Sequence, residues 1–126
     1  MLCVKLAEDG ERLSENFAAK EFACRCCGKV LVHPELVRKL QGLRSAAGAP
    51  VNVISGYRCA GHNRECGGAA NSYHLFGMAA DIWLAGVSTR QLAELAERAG
   101  FEGIGIYPEQ AFVHVDVRGY RARWEG

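Results

Sequence analysis

An aspartate and two histidines stand in surroundings where ionisable side chains are uncommon. Asp81 lies inside an apolar run, and His114 has a valine on each side, with Asp116 two residues further on. A carboxylate in such a strand is costly to bury unless it is paired or bound to a metal. Alternate residues of a strand share one face, so His114 and Asp116 point the same way. If the two strands pair, these residues converge, and His74 closes the cluster from the preceding loop.

Two imidazoles and one carboxylate with an open fourth position form the arrangement of catalytic zinc sites. The alternative is that the histidines are ordinary core side chains, which is the commoner use of a single histidine in a strand. A helix with the HExxH spacing, which would be a stronger zinc signal, is absent. The spacing alone therefore leaves the metal site and the core interpretation equally open.

Hydrophobic spacing predicts the elements that must position these residues. Apolar residues recur at helical spacing after Pro34, and Gly48 is placed to end that helix. A second amphipathic helix is predicted over Thr89–Ala99, with Ser88 as its N-cap and Gly100 at its end.

Four short runs read as strands, and they do not alternate regularly with helices. A long polar, glycine-rich loop, residues 56–72, precedes the second strand, and loops of this length are commonly functional. We therefore predict an α+β fold with a small antiparallel sheet flanked by helices, as one domain over residues 1–126. The predicted strands are residues 50–54, 78–84, 103–107 and 112–118.

The composition is that of a soluble globular protein, with 126 residues, 49% apolar and 23% charged. A net charge of +1 provides no field toward nucleic acid or an anionic membrane. No run approaches the roughly 18 apolar residues of a transmembrane helix, and the first residues become acidic too early for a signal peptide. We expect a monomer made in the cytoplasm, with neither nucleic acid nor membrane as a partner.

Six cysteines are many for a chain of this length. Three of them lie close together in Cys24-Arg25-Cys26-Cys27, and Cys59 and Cys66 form a looser pair. They could hold a structural zinc as thiolates, form one or two disulfides, or remain thiols. We favour plain thiols or disulfides over a thiolate metal site.

Several motifs resemble the zinc D-alanyl-D-alanine carboxypeptidases of the M15 peptidase family, and most closely its compact branch of phage lysins and bacterial cell-wall proteins. The resemblance extends from about Phe17 to Trp124 and implies a hedgehog/DD-peptidase-like fold. The motifs are Ser55-Gly56-Tyr57-Arg58, His62-Asn63, Gly67-Gly68, Ser72-x-His74-x-x-Gly77-x-Ala79-x-Asp81 and Val113-His114-Val115-Asp116.

This resemblance also implies roles for individual residues. Arg58 matches an arginine beside the scissile carbonyl, where a guanidinium would stabilise the developing oxyanion. Ser72 matches a residue near the substrate, although it could equally cap the loop. Apart from the resemblance, Tyr57 could contact substrate as an aromatic residue of a groove, although core packing is the commoner use of aromatic side chains. The Zn²⁺ ligands implied by the family are His74, Asp81 and His114.

The sequence departs from the family at one catalytic position. Many members carry an acidic general base three residues before the last zinc histidine, and here that residue is Ala111. Asp116 is the best substitute by its position, with Glu109 in reserve. The alternative is that Asp116 orients the zinc histidine or pairs with Arg118 or Arg121.

These observations predict a zinc metallopeptidase that hydrolyses peptide bonds of bacterial peptidoglycan stem peptides, as a D,D-carboxypeptidase or an endopeptidase. Without a signal peptide, it would reach the cell wall by a route such as phage-type release. The alternative function is a non-catalytic, zinc-containing cell-wall-binding or phage structural module, which Ala111 supports. The basic, aromatic tail, residues 118–124, could contact glycan or nucleic acid, but a solvated edge is the favoured interpretation.

Overall fold

The structure is a computed structural model that describes residues 3–68 and 71–126. These residues form three α-helices, two short 3-10 helices and seven strands. The helices are α1 (Pro34–Ala47), α2 (Ala60–Glu65) and α3 (Thr89–Ala99), and the 3-10 helices are Ala19–Phe22 and Tyr73–Phe76. The strands are β1 (Lys5–Leu6), β2 (Lys29–Val30), β3 (Asn52–Ser55), β4 (Ala79–Trp83), β5 (Gly103–Tyr107), β6 (Phe112–Asp116) and β7 (Ala122–Glu125).

A five-stranded sheet, in the order β3-β4-β6-β5-β7, is the centre of the fold. Its strands pair antiparallel except for β5 and β7, which are parallel, and β1 and β2 form a separate antiparallel pair. In the β4–β6 register, Asp81 lies opposite His114, and Ala79 lies opposite Asp116. The predicted α+β class with a small, largely antiparallel sheet is confirmed.

Helices α1 and α3 pack against each other, and α3 also packs on β5 and β6. The first helix begins at Pro34, where His33 Nδ1 accepts a hydrogen bond from the Glu35 N–H (3.1 Å), and ends at Gly48, which has φ +66°. The second predicted helix, 89–99, also has the expected ends. None of the described helices is long and apolar enough to cross a membrane. The core side chains include Phe17, Phe22, Leu36, Leu40, Leu43, Ile82, Leu92, Phe101, Val113 and Val115.

The C-terminal tail, predicted as a solvated edge, forms the edge strand β7 and leaves Tyr120, Arg121 and Arg123 exposed, while Trp124 turns onto the sheet. Arg121 and Arg123 form ion pairs with Glu97 of α3. The ring of Trp124 lies over Gly105 of β5, where a Cβ atom would come within 2.3 Å of the ring. The ion pairs with Glu97 and the packing of Trp124 over Gly105 hold the tail on the sheet. Neither contact can be read from a local sequence pattern.

Candidate metal centre and its cavity

Two neighbouring strands and one 3-10 helix bring three metal-ligating side chains together. Asp81 on β4 and His114 on β6 face each other, and their Oδ1 and Nδ1 atoms are 3.1 Å apart. His74, from the 3-10 helix that precedes β4, has its Nε2 3.3 Å from the same Asp81 oxygen. The three ligand atoms all lie within 4.8 Å of one another. The sequence-predicted ligand set is thus assembled in one place.

The second ring nitrogen of each histidine is held by an acceptor. His74 Nδ1 donates to the Gly56 carbonyl at 2.7 Å, and His114 Nε2 donates to Asp116 Oδ2 at 2.7 Å. A metal would displace the protons that the opposite ring nitrogens share with Asp81, and those nitrogens would then present lone pairs to it, while the carbonyl and the carboxylate keep the remaining proton of each ring in place. Such support is the usual arrangement behind metal-binding histidines. The donor set therefore fits a divalent zinc-type ion.

Arg58 supports the third ligand. Its Nη2 donates to Asp81 Oδ2 at 3.0 Å, its Nε donates to Ser55 Oγ at 3.0 Å, and its backbone N–H donates to the His74 carbonyl at 3.1 Å. The Arg58 side chain is only 12% exposed, so it is not a surface arginine. Its guanidinium leaves Asp81 Oδ1 free to face the two histidines.

In the metal-free cluster, the charges stabilise the ionised form of Asp81 and the protonated form of His114, whose proton a metal must displace. Burial raises the pKa of Asp81, but hydrogen bonds from His114 and His74 outweigh that effect and hold this pKa well below its usual range. Burial lowers the pKa of His114, whereas hydrogen bonds to Asp116 and Asp81 raise it, with a net increase. Asp81 is consequently ionised at neutral pH, as a carboxylate ligand must be.

Asp116 lies behind His114 rather than in front of the cluster. Its side chain is 0% exposed, and it accepts two hydrogen bonds from the Arg118 guanidinium, at 2.9 and 2.7 Å, besides the one from His114. Burial raises the pKa of Asp116, but His114 and Arg118 lower it to about 2. This geometry favours the role in which Asp116 orients His114 over the role of a general base open to substrate.

A cavity of about 480 Å³ opens in front of the three ligands. Tyr107 stacks on Phe112 with ring centroids 4.6 Å apart, and Trp124 Nε1 donates to the Tyr107 hydroxyl at 2.8 Å. The Arg118 guanidinium lies 4.6 Å from the centroid of the Tyr73 ring. These four aromatic side chains and Arg118 all line the cavity, and the aromatic rings form one wall of it.

The sequence identifies only part of this cavity wall. Ser72 lines the cavity and also caps the 3-10 helix, since its Oγ accepts from the His74 N–H at 3.3 Å. Tyr57 is not among the described residues that line the cavity. Trp124 does line it, although the sequence favours a solvated edge for the tail. The available signal for this tryptophan is the Gly-x-Gly spacing of β5, since glycines in a strand commonly mark close approach of other groups.

The turn between β5 and β6 contains Ala111, at the position where many family members carry the general base, and Glu109, the reserve candidate for that role. Ala111, with φ +61°, and Glu109 are exposed, and neither is among the described residues that line the cavity. An acidic side chain three residues before His114 would accordingly start from a turn outside the cavity wall. Glu109 as a reserve base finds no support in this geometry.

Comparisons with known proteins place residues 15–116 under the family model Peptidase M15. A Haemophilus influenzae protein named probable peptidoglycan L,D-endopeptidase MepK is 35% identical, over 93% of this chain and 74% of its own length. The Escherichia coli K12 protein named peptidoglycan L,D-endopeptidase MepK is 38% identical over 68% of this chain, which spans only 51% of that relative. The zinc D-Ala-D-Ala carboxypeptidase of Streptomyces albus G is 40% identical over 52% of this chain and 26% of its own length.

Proposed function

This chain belongs to the M15 peptidase family, and on that premise we propose that it is a zinc-dependent peptidase that cleaves within peptidoglycan stem peptides. The observation that carries the proposal is the buried His74–Asp81–His114 cluster at the wall of an aromatic cavity. Three protein ligands and an open side are the features of a catalytic zinc site.

Zinc bound there would supply a Lewis acid that activates water and polarises the scissile carbonyl. Arg58 holds the Asp81 carboxylate, and its unused N–H groups at the cavity wall would bind the carbonyl oxygen as charge develops on it. Asp116 keeps the His114 imidazole in one tautomer and orientation. Ser72 and the aromatic wall would position the peptide.

The charges of the cavity favour cleavage within a peptide over removal of a terminal residue. A carboxypeptidase must bind the terminal carboxylate of its substrate, which calls for a cation that is free to accept it. Among the described residues that line the cavity, the arginines are Arg58 and Arg118; each is paired with an aspartate, and the remaining N–H groups of Arg58 are assigned to the scissile carbonyl rather than to a terminal carboxylate. Two relatives named as L,D-endopeptidases agree with this choice.

The non-catalytic alternative depended on Ala111. Since Ala111 lies in an exposed turn and is not among the described cavity-lining residues, its lack of a carboxylate is weak support for a module that only binds the wall.

Cleavage of defined peptidoglycan fragments tests the proposal. Zinc-loaded protein is incubated with purified wall, with stem peptides extended beyond the scissile bond, and with peptides ending in D-Ala-D-Ala. We expect cleavage of wall and extended peptides, stopped by a chelator and absent in His114→Ala. Release of only the terminal D-alanine would instead identify a carboxypeptidase. Wall binding without cleavage by any zinc-loaded sample would identify a module.

We further propose that the protein acts as a monomer, without nucleic acid or membrane as a partner, and reaches the wall by phage-type release. The net charge of +1 supports the absence of a nucleic-acid role. Light scattering of the purified chain, and a filter-binding assay with nucleic acid, would test the first two points.

A further inference from the structure

A second cluster of metal-ligating side chains lies outside the proposed catalytic site. Cys24, Cys26 and Cys27 occupy the turn between the first 3-10 helix and β2, and Cys59 directly precedes α2. The four sulfur atoms all lie within 4.8 Å of one another. More than thirty residues separate Cys59 from the turn, so the fold has brought together thiols that share no local motif.

The spacing of the sulfurs fits a tetrahedral thiolate site. A Zn–S bond of about 2.3 Å gives sulfur–sulfur edges of about 3.8 Å in a tetrahedron. Cys59 Sγ lies 3.7 Å from Cys24 Sγ and 3.4 Å from Cys26 Sγ. All four cysteines are free thiols. A disulfide would join only two of them, at an S–S distance of about 2.05 Å, and would not explain why the other two sulfurs lie beside them.

The backbone around the cluster is shaped to hold it. The turn closes through Gly28 N–H to the Cys24 carbonyl at 2.9 Å, with Gly28 at φ +73°. The Cys59 N–H donates to Cys24 Sγ at 3.5 Å. Cys24 and Cys27 also have the C-x-x-C spacing of zinc sites.

We propose that Cys24, Cys26, Cys27 and Cys59 bind a structural Zn²⁺ ion, in addition to the ion of the catalytic site. Each thiol would release its proton to solvent as its sulfur bonds the metal. Four protein ligands leave no open position, which is the property of a structural site. This proposal departs from the preference for plain thiols or disulfides, because the sequence pattern does not reveal that Cys59 joins the turn.

The position of Cys59, next to Arg58, indicates what the second ion would stabilise. Cys59 follows Arg58, whose guanidinium holds the ligand Asp81. On the other side of this segment, the Tyr57 N–H donates to the Phe22 carbonyl at 2.8 Å, and a Cβ on Gly56 would lie 2.7 Å from the Phe22 backbone. A metal that ties Cys59 to the turn would therefore fix the Arg58 segment against the N-terminal part of the chain.

Metal content tests this proposal independently of peptidase activity. Wild type, Cys26→Ser/Cys27→Ser, His114→Ala and the combined variant are purified with zinc and measured by elemental analysis. We expect about two zinc ions per chain in wild type, about one in each of the two separate variants and none in the combination. Cys3→Ser, which removes an exposed cysteine outside the cluster, is the matched control and should retain both.

Cobalt substitution identifies the ligands directly. In His114→Ala loaded with Co²⁺, we expect the sulfur-to-cobalt charge-transfer bands of a tetrahedral thiolate site, and these bands should be missing from Cys26→Ser/Cys27→Ser. If the cysteine variant does not fold, the zinc content and the cobalt spectrum of His114→Ala still test whether the cysteines bind a metal. Loss of all zinc from His114→Ala, or a disulfide among the four cysteines in non-reducing mass analysis, would overturn the proposal and leave the peptidase function untouched.

Discussion

The His–Asp–His cluster and the four-cysteine cluster are built by different parts of the molecule. In the first, register between two central strands sets Asp81 against His114, and every ligand is held from behind by another protein group. In the second, a turn and the N-cap of a short helix supply the sulfurs, supported mainly by backbone N–H groups. Each ligand of the first site is held by a further protein group, whereas the proposed second ion would itself tie the turn to the residue that precedes the short helix.

The two clusters also differ in what faces them. A cavity with an aromatic wall opens beside the three-ligand cluster, whereas the four-cysteine cluster supplies a full set of ligands on its own. Three ligands leave a position for chemistry, and four close the metal off. The two proposed ions would accordingly differ in role, one able to react and one stabilising, and the ligand count is what separates them.

Stepwise removal of metal should separate the clusters most strongly. A weak chelator is expected to remove the ion with the open position first, abolishing cleavage while circular dichroism stays unchanged. A stronger chelator should then remove the thiolate-bound ion and lower the melting temperature. Measuring activity, zinc content and thermal unfolding on the same samples checks this order. Simultaneous loss of both ions and of the fold would contradict the proposed division.

Arg58→Ala should produce the next largest effect, because it removes both the partner of Asp81 and a donor at the cavity wall. Losing one oxyanion donor costs about 100- to 1,000-fold in kcat. We expect a fall of that order in kcat/KM for an extended stem peptide. Arg58→Lys keeps the charge and should recover part of the loss. A variant within about threefold of wild type would exclude Arg58 from the mechanism.

Asp116→Asn distinguishes an orienting residue from a general base. The asparagine carbonyl can still accept a hydrogen bond from His114 Nε2, but it lacks the charge of the carboxylate. We therefore expect zinc affinity and turnover each to fall by about 10- to 100-fold, as for other groups behind a metal ligand. Competition with a chromophoric chelator gives the affinity, and cleavage assays at saturating zinc give turnover. Zinc affinity equal to wild type together with abolished cleavage would restore Asp116 as the base.

Gly103→Ala should disturb the same hydrogen bond between Asp116 and His114, with a smaller loss of zinc affinity than Asp116→Asn. A Cβ on Gly103 would lie 2.2 Å from Asp116 Oδ1, so the carboxylate must shift away from its hydrogen bond with His114. We expect about a tenfold loss of zinc affinity, toward the lower end of the range for groups behind a ligand. Gly42→Ala is the control, because Gly42 lies exposed in α1 with nothing within 4 Å of its added Cβ. That variant should bind zinc as wild type does and unfold at a slightly higher temperature.

The local elements are accessible from the sequence because short-range patterns determine them. Proline at the start and glycine at the end identify the helix Pro34–Ala47, and the serine cap identifies Thr89–Ala99. The two-residue period of a strand is enough to put His114 and Asp116 of β6 on one face. The family motifs then supply the complete ligand set of the proposed catalytic site.

Contacts between distant segments are decided only by the tertiary structure. The pairing of Asp81 with His114 across β4 and β6, the packing of Trp124 over Gly105 and the approach of Cys59 to the 24–27 turn each depend on register and packing. No local period encodes such contacts, because a side chain's neighbours across a sheet or between loops are fixed only when the core packs. The sequence determined which residues could carry chemistry, and the fold decided which of them meet.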